Sequence, residues 1–232
     1  MWRAAILLVA LAGAPVAAET IVAAEYANPT TRYPHGVLGD TTEHGALILR
    51  TDKGRSMRIV LPQTRVFEDT EPRLFDLEGD GAPEVVVVES HMSRGSRLAV
   101  YGLSGLVAAN DYIGQTNRWL APVGAADLDG DGAMEIAYVD RPHLAKTLRV
   151  LRFKDGTLTP VASLEGVSNH RIGERDIAGG IRDCGDGPEM IVASADWTRL
   201  LAVTLRDGEL TARDIGDHED RSSFANALSC GQ

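Results

Sequence analysis

The feature that most restricts this chain is an acidic nine-residue loop that recurs at a fixed interval. Asp127-Leu-Asp-Gly-Asp-Gly-Ala-Met-Glu135 places carboxylates at its first, third, fifth and ninth positions, with two glycines among them. Asp76-Leu-Glu-Gly-Asp-Gly-Ala-Pro-Glu84 repeats the pattern 51 residues earlier. Calcium is a hard cation that takes six to eight oxygen ligands, often several carboxylates from one tight loop. Asp127, Asp129, Asp131 and Glu135 are therefore candidate calcium ligands, and so are Asp76, Glu78, Asp80 and Glu84. Glycine lets such a loop turn through backbone angles that other residues avoid. Each loop leads into a strand-like run, Ile136–Val139 and Val85–Val88. An EF-hand differs, because its last ligand falls at position 12 and its flanks are helical. A third, shortened copy, Asp183-Cys-Gly-Asp-Gly-Pro-Glu189, carries Cys184 where a carboxylate would stand, and reads equally as a solvated turn or a metal loop.

A second marker tests the period. Hairpin-turn glycines stand at Gly54, Gly105, Gly156 and Gly208, spaced by 51, 51 and 52 residues, and each separates two short apolar runs. A repeat of about 40–50 residues with four short strands is the signature of a propeller blade. The fold class expected is all-β, a β-propeller of four blades. In the second blade the strands fall at Arg73–Leu77, Val85–Glu89, Arg97–Leu103 and Leu106–Asp111. In the third they fall at Gly124–Leu128, Ile136–Val139, Leu148–Phe153 and Leu158–Leu164. In the fourth they fall at Ala178–Cys184, Met190–Ala193, Leu200–Leu205 and Leu210–Ile215. The remaining blade would be shared between the chain ends: His35–Gly39, Ala46–Arg50 and Met57–Leu61 from the start, and a closing strand over Arg221–Cys230. Such closure pairs the last strand and removes exposed edges. Thr20–Tyr26 leaves room for a fifth, partial blade.

The 232 residues suffice for one domain with a real core, here residues 19–232. Residues 1–18 read as a secretory leader: a short basic start at Arg3, an apolar run over Ala4–Ala12 and small residues at Val16-Ala-Ala18. No later stretch reaches the roughly 20 apolar residues of a membrane span, so the expected location is the periplasm or the exterior. The formal charge of −10 argues against nucleic acid as a partner. Cys184 and Cys230 are the two cysteines, and an even pair in an oxidising compartment favours a disulfide.

The Asp-x-Asp/Glu-Gly-Asp-Gly-x-x-Glu loops at blade period resemble the FG-GAP / VCBS-type repeats, found in the head propeller of integrin α chains and in many exported bacterial proteins. The resemblance covers most of residues 70–200. It implies structural calcium held by the eight carboxylates named above. Glu78 departs from the commoner Asp, the blade number is smaller than in integrin heads, and the Phe-Gly/Gly-Ala-Pro signature is barely visible. Members of the family mostly bind other molecules, so the resemblance implies a binding or scaffold module.

In an antiparallel blade the acidic loops share one face, and the loops between blades share the other. That second face carries Arg65, Arg118, Arg171 and Arg221, with His91, His143 and Trp197 nearby. The planar guanidinium fork suits carboxylate, phosphate or sulfate. These seven residues are the candidate binding face for an acidic protein partner or an anionic small molecule or glycan. The competing view is that each arginine pairs with a local carboxylate and braces the blades. An enzyme, a hydrolase or lyase using the histidines and arginines of this face, is the alternative function. Against it, the chain has no His-x-His, His-Glu-x-x-His or Gly-x-Ser-x-Gly pattern and no phosphate-binding glycine loop.

Overall fold

The computed structural model describes residues 18–230, so the expected leader lies outside the described residues except for its last position. The described chain is nearly all β: curled antiparallel sheets and one helix, an arrangement consistent with a β-propeller.

The first unit is β1 (Ile21–Thr30), β2 (Glu43–Thr51) and β3 (Ser56–Val60), with β2 paired on both sides. The second is β4 (Arg65–Phe67), β5 (Arg73–Phe75), β6 (Glu84–His91), β7 (Gly95–Gly102) and β8 (Gly105–Ala109). Short β4 bridges to both β2 and β6, which joins these two units into one eight-stranded sheet. The third unit is a four-stranded meander of β9 (Leu120–Ala126), β10 (Met134–Asp140), β11 (Thr147–Lys154) and β12 (Thr157–Glu165). The fourth contains β13 (Val167–Ser168), β14 (Gly180–Asp183), β15 (Pro188–Ser194), β16 (Arg199–Arg206) and β17 (Glu209–Asp217).

Why the central strands read as unbroken apolar runs is visible in the packing. Val85 and Val87 of β6 face the first unit, where they meet Leu47 and Leu49 in one cluster with Phe67 of β4. Val86 and Val88 face the third unit and meet Ile136, Tyr138, Leu151 and Phe153. The same alternation puts Val139 and Val150 against Met190, Val192, Val203 and Leu205. A strand buried on both faces has no polar side to alternate with. The turn glycines behave as their spacing predicts: Gly54, Gly105, Gly156 and Gly208 all have positive φ, and Asp155 and Asp207 join the last two in that region.

Two expectations are corrected at the chain ends. Arg221–Leu228 is a helix, α1, not a closing strand. Asp220 caps it by accepting the Ser222 N–H, while Ser223 reaches back to the cap, and Phe224, Ala227 and Leu228 form the single apolar stripe. The stripe packs on Ala178, Ile191 and Trp197, so the helix covers the outer face of the fourth unit. His35–Gly39 is a turn segment and not a strand; β1 instead pairs with β2, so Thr20–Tyr26 starts no separate sheet. Among the described residues the chain ends are therefore not joined by strand pairing. Contact between the first and fourth units comes from a loop, where the Gly173 N–H donates to the Val37 carbonyl at 3.0 Å.

Three residues one repeat apart, Glu68, Trp119 and His170, meet where the units converge. The Trp119 Nε1–H donates to the Glu68 carbonyl at 2.8 Å, and the Trp119 and His170 rings lie edge to face at 4.9 Å. Glu43 is buried beside this centre, and burial, together with Glu68, Asp40 and Asp69, raises its pKa to about 9. The folded chain therefore keeps a proton on Glu43 that the unfolded chain loses above pH 4.5. A raised carboxyl pKa means stability lost with rising pH across that window. Glu43→Gln is expected to flatten the decline in stability between pH 6.5 and 8.5 and to gain about 1–2 kcal/mol at the upper end. Urea unfolding at several pH values checks this.

Candidate functional site

The three acidic loops share one backbone design. Gly79 and Gly81, Gly130 and Gly132, and Gly185 and Gly187 all have positive φ. In each loop the leading aspartate caps the turn. Asp127 accepts the N–H groups of Gly130, Asp131 and Gly132; Asp76 accepts those of Asp80 and Gly81; Asp183 accepts those of Gly185 and Gly187. The terminal glutamate also recurs, since Glu84 and Glu135 each accept the N–H one residue after the leading aspartate, at 3.0 and 2.8 Å. Glu78 and Asp131 line one groove, which places the first two loops on the same face.

What differs is how each loop balances its charge. In the 127–135 loop, carboxylate oxygens of Asp127, Asp129 and Glu135 converge within 4.8 Å of one another. No other group of three such ligands is found among the described residues. Oxygen-only, carboxylate-rich ligation fits calcium. Yet the guanidinium of Arg152 reaches Glu135 at 2.6 Å, Asp129 at 2.6 Å and Asp131 at 2.9 Å. In the 76–84 loop the ladder pairs Val85 with Tyr101, which brings Gly102 level with Glu84, where β11 puts Arg152 beside Glu135. Among the described residues no arginine is ion-paired there, and burial, then Glu78 and Asp80, raise the Glu84 pKa against the pull of the Leu77 N–H. The third loop differs from the other two in two places. Glu189 is held by Arg182 and Arg213, both at 2.7 Å, and Cys184 is bonded to Cys230. Arg152 could not be recognised from the sequence, because its partnership depends on strand register.

On the opposite face the four arginines divide into local groups. Arg65 pairs with the buried Glu89 at 2.9 Å and shares a groove with His91. Arg118 donates to the Asn117 carbonyl at 3.2 Å. Arg171 lies over the Trp197 ring at 4.3 Å and is 4.0 Å from Glu174. Arg221 pairs with Glu174 and with Asp176. The structure thus brings Arg171, Trp197 and Arg221 together around Glu174, and Arg65 with His91. Where the units converge there stands an aromatic and imidazole stack: Trp119 lies parallel to His143, and His143 bonds His170 at 2.9 Å. Burial, then His170 and His35, lower the His143 pKa to about 4, and burial also lowers that of His170. The 51-residue spacing of Glu68, Trp119 and His170 is the signal that could have found this centre.

These features define a β-propeller-like protein built from repeated units of strand, acidic turn and strand. Residues 76–138 match the FG-GAP-like repeat family, a span that begins at the first acidic loop and ends in the strand after the second. No curated protein matches this chain. No helix among the described residues is long and apolar enough to cross a membrane.

Proposed function

We propose that this chain is an exported binding or scaffold module, a single domain whose acidic loops hold calcium as a structural ion. The observation that carries the reading is the 76–84 loop. It has four carboxylates on the backbone scaffold of its arginine-bearing counterpart, with glycine where that counterpart has its cation. Four like charges on one tight turn repel in the empty loop, so ion binding and folding are linked. Asp76, Glu78, Asp80 and Glu84 would hold one ion. At Asp127, Asp129, Asp131 and Glu135 an ion has to displace Arg152. Export to the periplasm or beyond is supported by the leader-like start and by the Cys184–Cys230 disulfide. The opposite face, with Arg65, Arg118, Arg171, Arg221, His91, His143 and Trp197, serves an acidic protein partner or an anionic ligand. The net charge of −10 disfavours nucleic acid.

Thermal unfolding tests the calcium reading. Removal of calcium by a chelator is expected to cost about 2 kcal/mol, a fall in Tm of about 4–8 °C for a chain of this size. Identical melting with chelator and with millimolar calcium would overturn it.

A further inference from the structure

A groove of about 450 Å³ runs beside the β6–β7 turn, walled by Arg65, His91, Arg94, Arg97, Asp111 and Tyr112. Tyr112 is its organising side chain. The Arg94 guanidinium carbon lies 4.3 Å from the ring centroid, that of Arg97 lies 4.7 Å from it, and the His91 ring meets it edge-on at 5.5 Å. Stacking of this kind holds a guanidinium plane in place while leaving its N–H groups to bond in that plane.

The charge is unequal. One buried carboxylate, Glu89, serves both Arg65 and Arg97, at 2.9 and 2.8 Å, and also accepts the hydroxyls of Tyr101 and Tyr112. Arg94 has no carboxylate partner among the described residues, and Asp111 is the one acid that lines the groove, Glu89 lying buried behind it. Three guanidiniums against two carboxylates leave a positive pocket on a protein whose net charge is −10. His91 adds a neutral donor. Its Nδ1 accepts the Ser93 N–H at 3.1 Å, so the ring proton sits on Nε2. Burial and then Arg94, Arg65 and Arg97 all depress its pKa, as expected where positive potential accumulates.

The turn that carries Arg94 is rigid. Gly95 has positive φ, and a Cβ there would lie 2.3 Å from the Gln115 carbonyl oxygen. The Gly114 N–H donates to the Arg94 carbonyl at 2.7 Å, and the Ser96 N–H donates to that of Arg118 at 2.8 Å. A site whose donors are fixed in advance loses little entropy on binding.

We propose that this groove binds an oxyanion, the carboxylate, sulfate or phosphate group of an acidic ligand, between Arg94 and Arg97 on the face of Tyr112. The proposal rests on the reading of the chain as a binding module and gives that module its contact residues. Two of them, Arg65 and His91, belong to the face singled out from sequence; Arg97 and Tyr112 do not.

The test is calorimetric titration of the full chain at constant ionic strength with sodium sulfate, with potassium phosphate and, separately, with glucuronate. Saturable one-to-one binding of at least one of the three is expected. An acid sugar preferred over both inorganic ions would make a glycan the source of the anion, and the reverse preference a free ion. Arg94→Ala is expected to weaken that binding at least about tenfold, since a charge-assisted bond is lost. Arg206→Ala, on the fourth unit, is expected to leave it unchanged. Because Arg94 has no structural ion pair, its variant should melt as the parent does, which separates lost binding from lost fold. Absence of saturable binding for all three anions, or equal binding by Arg94→Ala, overturns the proposal. A calcium-dependent Tm measured on the same samples keeps the two readings apart. If calcium stabilises and no anion binds, the groove fails alone; if anions bind without any calcium response, the calcium reading fails alone.

Discussion

Arg152→Ala is expected to destabilise the calcium-free protein by about 3 kcal/mol, and calcium is expected to restore most of that loss. Among the described residues Arg152 is the only cation bonded to Glu135, a fully buried carboxylate, and it also serves Asp129 and Asp131. Removing one partner of a buried pair leaves the other charged and desolvated, which costs more than the pair itself contributed. Part of Arg152 is solvated, which places the effect at the lower end of the range for buried pairs. What remains after the substitution is a four-carboxylate turn with no internal cation, equivalent to the 76–84 loop. The variant should therefore depend more strongly on calcium than the parent does. Urea unfolding of both proteins, with chelator and with calcium, measures the difference. An equal loss in both conditions would mean that Arg152 only braces β10 against β11.

The second large effect concerns the far end of the chain. Cys184→Ser with Cys230→Ser is expected to cost about 2–4 kcal/mol, because the bond closes a loop with a sequence separation of 46 residues. Structure points to where the loss appears first. Cys184 lies in the third acidic loop and Cys230 just beyond α1, so the bond ties the helix to the sheet it covers. The helix has eight residues and a single buried side chain, Phe224, and a helix of that length is marginal in water without packing. Fluorescence of Trp197, whose ring meets Phe224 at 6.2 Å, is expected to change at lower denaturant than the sheet signal once the bond is gone. A single coincident transition in the variant would contradict this order.

How far the sequence carried the fold differs from segment to segment. The strands of the second, third and fourth units lie within a few residues of expectation, because turn glycines bound them and the central strands are buried on both faces. Their continuous apolar runs, such as Val85–Val88, leave little room for another reading. The loops were legible for a similar reason: aspartate caps and paired glycines are local devices that operate within nine residues. At the ends, repeat logic competed with local chemistry and misled. Asp220 followed by Ser223 is a helix-capping pattern, and Phe224, Ala227 and Leu228 have helical spacing, yet the repeat called for a strand there. β1 was legible only as room for a partial fifth blade over Thr20–Tyr26, because its residues are mostly exposed or half-buried and Pro29 near its end argues against a strand.

At the sites, residue types were readable and pairings were not. Glu135 and Arg152 are neighbours only because β10 and β11 pair in one register. The same holds for Glu89 with Arg97 across β6 and β7. Four arginines at roughly one per unit suggested a ring, but ion pairs gather three of them into local groups, Arg65 at Glu89 and Arg171 with Arg221 at Glu174, while Arg118 bonds the Asn117 carbonyl. Their charges are spent within the fold to different degrees, and Arg94 is left with no carboxylate partner among the described residues.

The central claim is that the acidic turn between the first two strands of a unit binds calcium and that this binding stabilises the sheets around it. The most direct measurement is the calcium-induced rise in Tm of the parent chain against that of a Glu78→Gln, Asp80→Asn variant, which removes two charges at nearly constant shape. A rise of several degrees in the parent, mostly abolished in the variant, is the result predicted. No rise in the parent, or an equal rise in both, would contradict it.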